Sequence, residues 1–286
     1  MSGPVHARFP DGRLHLQHGP IDCIVEAWGA SGEVETAYAQ AVERFADLLG
    51  TLVGELDLLR APVSVAYPLA HGPVAKRMVA AVWPHREVFI TPMAAVAGAV
   101  ADELLEAMVR GRSIYKAYVN DGGDIAIHLD GYAEFDVGIA ADPEVPALDG
   151  DLRIRHSDPI RGIATSGWRG RSQSLGIADA VTVLARTAAA ADAAATMIAN
   201  AVNVDHPAIR RLPARAVKED SDLGELPVTV AVGALPDDAI EAALESGLRT
   251  ARELRSRRLI EGAWLSLGGR WRVVAEEHPR ILRASC

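Results

Sequence analysis

The chain has 286 residues, about half of them hydrophobic and 23% charged, which suffices for one large core or two packed halves. Its formal charge of -9 argues against a nucleic-acid partner, whose phosphates demand a basic footprint, and no polybasic run marks a membrane surface. Cys23 and Cys286 are the only cysteines, so neither a disulfide framework nor a cysteine zinc site is on offer, which fits a reducing cytoplasm.

The first twenty residues hold Pro4, Pro10 and Pro20 and no useful apolar run, so they read as no secretory signal. The longest apolar stretch, PMAAVAGAV, meets Asp102 and Glu103 well short of the ~20 residues a membrane span needs. A soluble, cytoplasmic protein without membrane partners is expected. Leu14 and Leu16, then Ile21, Cys23 and Val25, alternate on either side of Gly19-Pro20, which predicts a β-hairpin or two adjacent strands. From Ala37 to Leu59, apolar residues at Val42, Phe45, Leu49, Leu52, Val53, Leu56 and Leu59 predict one amphipathic helix laid on a sheet.

A second helix is predicted over residues 92–109, with Thr91 as cap, Pro92 at its first position and Gly111 as its left-handed stop. Its first turns are almost all Ala, Val and Gly, so a neighbouring backbone can come close. From Ser113 strands dominate: SIYKAYV, DIAIHL, EFDVGIA, LRIRH and AVTVLA, with turns at Gly122-Gly123, Asp130-Gly131 and Asp149-Gly150. An alanine-rich helix over 188–201 follows, with Thr187 as its cap. The polar, proline-bearing stretch 203–227 reads as a surface loop or lid. VTVAV and the helix after it repeat the strand-then-helix order, and WRVVAE closes the chain. Helices inserted among antiparallel strands make the class α+β, with mainly antiparallel sheets and packed helices, and the order permits an internal duplication.

No dinucleotide fingerprint, P-loop, zincin motif or nucleophile elbow is present. The histidines stand singly, and His85, His128 and His156 read as ordinary residues. Three stretches gather groups able to hold an anion. Around Gly122 and Gly123, the main chain is open to close approach, and Asn120 and Asp124 supply polar edges; alone, the stretch reads first as a hairpin turn. Thr165, Ser166 and Gly167 offer hydroxyls and a turnable backbone, or a plain loop. Asp192 and Thr196 stand one helical turn apart, an oxygen pair suited to Mg²⁺ or simply a polar helix edge.

Taken in order, these stretches resemble the ApbE family of flavin-transferring proteins. The resemblance rests on Asn120-Asp121-Gly122-Gly123-Asp124, Gly138-Ile139, Asp142-Pro143, Thr165-Ser166-Gly167, Thr182-Val183 and Ala191-Asp192 through Thr196, and covers roughly residues 85–202. TPMAAVAGAVAD and SLGIADAVTVLA are similar to a bacterial and archaeal branch of it. The resemblance implies a T-fold-like α+β protein, one domain over 1–286 made of two intimately packed halves with the ligand between them. It also implies Mg²⁺ held partly by Asp192 and Thr196 near the diphosphate of FAD, or FMN as the flavin held. The nucleotide contacts would be Asn120, Gly122, Gly123, Asp124, Thr165, Ser166 and Gly167. Two departures count against protein flavinylation. The His-x-x-x-Pro element after Ser-Gly is replaced by WRGRSQSLGIAD, and a Lys-Gly element is replaced by Ala97-Gly98, although Asp102 remains.

The expectation is therefore a small-molecule nucleotide ligand and Mg²⁺-assisted chemistry at its diphosphate, by a flavin nucleotide transferase or hydrolase. An enzyme of pterin-type cofactor biosynthesis and a non-catalytic flavin-binding protein are the alternatives. No general base is named by the sequence. The alanine-rich helices suit packing within a monomer or across a homodimer.

Overall fold

The computed structural model describes residues 3–139, 150–275 and 281–282. Asp142-Pro143, Asp149 and Cys286, named above, lie outside the described residues. The chain opens with strands β1 (Val5–Arg8), β2 (Leu14–His18) and β3 (Ile21–Gly29), then enters helices α1 (Ser31–Phe45), α2 (Leu48–Gly54), α3 (Leu56–Arg60), α4 (Pro73–Val82) and α5 (Val96–Val109). Strands β4 (Ile114–Asp121), β5 (Asp124–Leu129), β6 (Glu134–Ile139), β7 (Gly150–Arg155), β8 (Gly162–Ser166) and β9 (Ala180–Ala185) lead to helix α6 (Ala188–Ala201). After it come β10 (Ile209–Pro213), α7 (Ala214–Val217), β11 (Pro227–Val232), α8 (Asp237–Ser256), β12 (Gly262–Leu267), β13 (Arg270–Val274) and β14 (Ile281–Leu282). The class is α+β, as expected.

Two compact units divide the chain. The first takes residues 1–135, 154–164 and 185–193; the second takes 136–153, 165–184 and 194–286. In the first, β1 to β5 pair antiparallel in sequence order, and Ile125 and Ala126 of β5 pair with Ile163 and Gly162 of β8. Gly19, at φ 58°, makes the turn between β2 and β3. One face of this sheet carries Leu14, Leu16, Cys23, Val25, Ala117 and Val119, all buried. Helix α5 lies against β4 and β5 and packs on α1 and α4.

The helix expected from Ala37 to Leu59 is three helices. It breaks at Ala46 and Asp47, between α1 and α2, and again at Glu55 after Gly54, where φ of -114° and ψ of 12° leave the helical range. The apolar spacing continues through both breaks, because Phe45, Leu48, Leu49, Leu52 and Leu59 are still needed by one core, while Val53 is left exposed. Buried Glu103 ties the helices together: Arg44 of α1 donates to its Oε1 at 2.9 Å and Arg77 of α4 to its Oε2 at 3.0 Å.

In the second unit β9, β12 and β13 pair antiparallel, with α8 over β12 and β13. A Cβ on Gly247 of α8 would meet Val202 at 2.3 Å and Leu265 at 2.8 Å, so glycine sets how near the helix lies. The stretch read as a surface loop holds β10, which pairs antiparallel with β11, and α7. Every residue of β12 is buried, so it shows no alternation by which a sequence would betray it. Among the described residues no helix is long and apolar enough to cross a membrane.

Candidate functional site

The hairpin between β4 and β5 turns on Gly122 and Gly123, at φ 64° and 111°, values that favour glycine. The side-chain Oδ1 of Asn120 accepts the Gly123 N–H at 2.8 Å and closes the turn. Asp121 and Asp124 stand directly opposite each other, and Asp121 is in turn opposite Cys23. Opposed residues share a face. The register therefore sets two carboxylates on the core-facing side of the sheet, at the end of its apolar stripe. Asp121 is buried, and its Oδ1 accepts the Asp22 N–H at 3.3 Å.

The same unit holds the start of α5 and the start of α6. A Cβ on Gly98 would lie 2.3 Å from the Ala188 carbonyl oxygen, so the two helices touch backbone to backbone there. Each caps the other. The Gly98 N–H donates to Asp192 Oδ2 at 3.1 Å, while the N–H groups of Ala188 and Ala189 donate to the two oxygens of Asp102, both at 2.9 Å. These are the free amides of helix N-termini, and a carboxylate is their natural partner. Thr187 caps α6 as expected, accepting from Ala190 at 3.1 Å; Thr91 sits at the cap position before Pro92, but its side chain makes no capping bond.

Burial pushes the Asp192 carboxyl well above the usual carboxylate range. The nearby charge of Asp124 pushes it further, Asp121 adds to this, and the amides of Gly98 and Ala97 pull the other way. Like charges gathered away from water call for a proton or a cation. Thr196 lies one turn beyond Asp192 on α6, half-buried as Asp192 is, in the part of the helix that belongs to the second unit. The alanines around them are buried within this chain. His128 and His156 each bond a backbone carbonyl, as ordinary histidines do.

The second unit holds Thr165, Ser166 and Gly167. Thr165 is exposed, with its hydroxyl 2.9 Å from that of buried Thr182. Beyond it, Arg169 and Asp179 line a recess of about 240 Å³ walled by Val232, Leu235, Ile240 and Leu267. Among the described residues, no three His, Cys, Asp or Glu side chains form a metal cage. Mg²⁺ does not require one. It is ordinarily held by one or two carboxylates and completes its shell with water and phosphate oxygens.

A family model, described as AbpE bacteria, matches residues 6–273. The chain belongs to that family. Curated relatives of this AbpE-family chain include UPF0280 proteins. That of Methanothrix thermoacetophila is 44% identical over 135 residues, which is 46% of this chain and 54% of that protein. That of Methanosarcina acetivorans is 39% identical over 137 residues, 48% of this chain and 51% of that protein. The chain spans about half the length of the curated relatives it matches. Among solved structures, a variant of the flavin transferase ApbE from Vibrio cholerae aligns at 13% identity and TM-score 0.48, covering 96% of this chain and 98% of that one. The ApbE protein of Thermotoga maritima aligns at 13% identity and TM-score 0.48, covering 96% and 97%.

Within the AbpE-family chain, Asp124 and Asp192 both lie in the first unit, near enough for the charge of one to raise the carboxyl of the other, and the structure adds two groups that spacing alone does not single out. Asp121 enters through hairpin register. The amides of Ala97 and Gly98 enter where the resemblance marks a replaced Lys-Gly element. That replacement was the available signal.

Proposed function

We propose that this protein binds a flavin or a related nucleotide and acts on it, with Mg²⁺, at the diphosphate. The observation that carries the proposal is the Asp192 carboxyl, raised by burial and by the charges of Asp124 and Asp121 near it, in a member of this family. The donor set fits a hard cation: all oxygen, partly buried, and rich in negative charge. Asp192 and Thr196 would hold Mg²⁺. Asp192 accepts from the amides of Gly98 and Ala97, which still leaves a carboxylate lone pairs for a metal. When bound, the ion would neutralise phosphate charge that grows as a phosphoryl bond breaks.

The chain's own groups would do the rest. Gly123 has nothing within 4 Å of the place a Cβ would occupy, so a ligand can reach the main chain of the turn. Asn120 holds that turn in shape. Thr165, kept in place by Thr182, would offer its hydroxyl to a phosphate oxygen, with Ser166 and Gly167 beside it. The aspartates orient the metal and repel misplaced anions.

Titration with FAD, with and without Mg²⁺, tests the proposal in the wild type and in Asp192→Ala and Thr196→Val. Both variants should fold, and both should weaken Mg²⁺-dependent binding, Asp192→Ala by more because it also removes charge. Equal, metal-independent affinity in all three proteins would remove the metal from the site. Chromatography of FAD incubated with protein and Mg²⁺ separates the chemical outcomes. FMN and AMP mark a transferase or hydrolase. Intact, retained FAD marks a binder, a second reading favoured by the Trp168–Asp179 segment, where no His-x-x-x-Pro stands. Absence of flavin affinity would turn attention to pterins.

A further inference from the structure

The turn after Thr165 is built on a single carboxylate. Gly167 packs so near the chain at 178–179 that a Cβ would lie 2.4 Å from the Asp179 carbonyl oxygen and 3.0 Å from that of Ala178. The Trp168 N–H donates to the Ala178 carbonyl at 3.0 Å, and the Gly170 N–H to that of Gly167 at 3.2 Å. Around this backbone seam the Asp179 side chain, 14% exposed, gathers donors from two distant stretches. Its Oδ1 accepts the Trp168 indole N–H at 3.2 Å and Arg169 Nε at 3.0 Å, and its Oδ2 accepts the Gly268 N–H at 2.7 Å. The Asp179 N–H itself donates to Ser266 at 2.9 Å, which fixes the residue to β12. The Arg169 guanidinium lies over the Trp168 ring, 5.0 Å from its centre.

A surface turn bearing two glycines, Gly167 and Gly170, has little of its own to hold one shape. Here two of its side chains converge on one carboxylate, and the third donor, Gly268, anchors that carboxylate to the β12–β13 turn. An acceptor of three N–H groups has no neutral substitute. Asn, its nearest in shape, would turn an N–H₂ group toward at least one donor.

We infer that Asp179 is a positioning residue that fixes the turn from Thr165 to Gly170 and so sets the protein's affinity for the nucleotide's phosphates. The inference rests on the reading above in which Thr165, Ser166 and Gly167 meet the diphosphate. It assigns to Asp179, with Trp168 and Arg169 as its partners, the ordering of a segment that lacks the His-x-x-x-Pro element.

The test uses the full chain with Asp179→Asn, Asp179→Glu and Trp168→Phe, reading backbone hydrogen exchange and FAD titration in Mg²⁺. Asp179→Asn should speed exchange at residues 166–170 and 268 by about tenfold and weaken FAD by about as much, while other amides keep their rates. Asp179→Glu should recover part of both, and Trp168→Phe, which deletes one donor, should shift both less. Unchanged exchange in Asp179→Asn overturns the clamp. Faster exchange with unchanged FAD affinity overturns its role in binding. Uniformly faster exchange means that the variant has merely lost stability, and Trp168→Phe, which leaves the carboxylate in place, then decides: no local change in it overturns the inference. Failure of the wild type to bind any flavin overturns the proposed function instead, and the exchange measurement still decides whether Asp179 holds the turn.

Discussion

The two amides that open α6 both end on Asp102, a part-buried carboxyl raised to about 6, chiefly by burial. The two amides and the charge of Arg77 work against that rise, while Glu106 adds to it. A carboxyl whose native value exceeds its unfolded one binds its proton more readily in the folded chain. Between about 6 and the ordinary value of 3.8 the native state therefore takes up a proton that the unfolded state does not. This group's contribution to stability should grow as pH falls through that window and be absent above it. Unfolding free energies of wild type and Asp102→Asn, measured from pH 7.5 to 4.5, should diverge in the wild type's favour toward the acid side. A gap that widens toward alkali would contradict the sign. Asp102 and Asp192 also show what a single chain of letters hides. Each is one acid among many until the backbone amides it serves, about ninety residues away, come into place. The one-turn spacing of Asp192 and Thr196 was legible because both lie on one helix. Asp121 was not, because its importance comes from pairing across a hairpin.

Contact between elements is controlled by a few missing side chains. Gly98→Ala would press a methyl into the Ala188 carbonyl, where backbone rather than a pliable side chain stands in the way. It should cost about 3 kcal/mol, at the upper end for overpacked sites, whereas Gly32→Ala, with nothing within 4 Å, should be neutral or slightly stabilising. Denaturant unfolding of both variants checks the contrast. The end of α8 offers the opposite opportunity. Arg258, at φ 59°, sits at the left-handed position of a Schellman turn: its N–H donates to Arg255 at 2.8 Å and that of Leu259 to Leu254 at 3.0 Å. Arg258→Gly should raise stability by about 0.5–1 kcal/mol, and an unchanged or lower melting temperature would count against that strain. Helices α5 and α6 were plain in the sequence because their small-residue composition agreed with their burial; Thr187 caps α6, whereas the expected helix from Pro92 opens as a short 3₁₀ turn, Pro92–Ala95, and α5 starts only at Val96. The breaks among α1, α2 and α3 were not, since one core asks for the same apolar spacing on both sides of each break. Strand β12 escaped because burial on both faces erases alternation.

At the scale of the molecule, α+β class and antiparallel pairing followed from the order of strands and helices, but the division of the chain did not. The first unit is assembled from three separated segments, the last of them residues 185–193. No cut at a single peptide bond separates it from the second. A fragment of residues 1–135 lacks both the β8 residues that pair with Ile125 and Ala126 and the Asp192 that caps α5. Expressed alone, it should show no cooperative thermal transition, and a sharp one would mean that those segments are dispensable. Synthesis on the ribosome meets the same condition. The amides of Ala97 and Gly98 have no carboxylate to receive them until Asp192 has been made, several seconds later at about 5–20 residues per second. During that delay the apolar face of α5 has no finished core to enter, and the nascent chain is then a natural client for a chaperone.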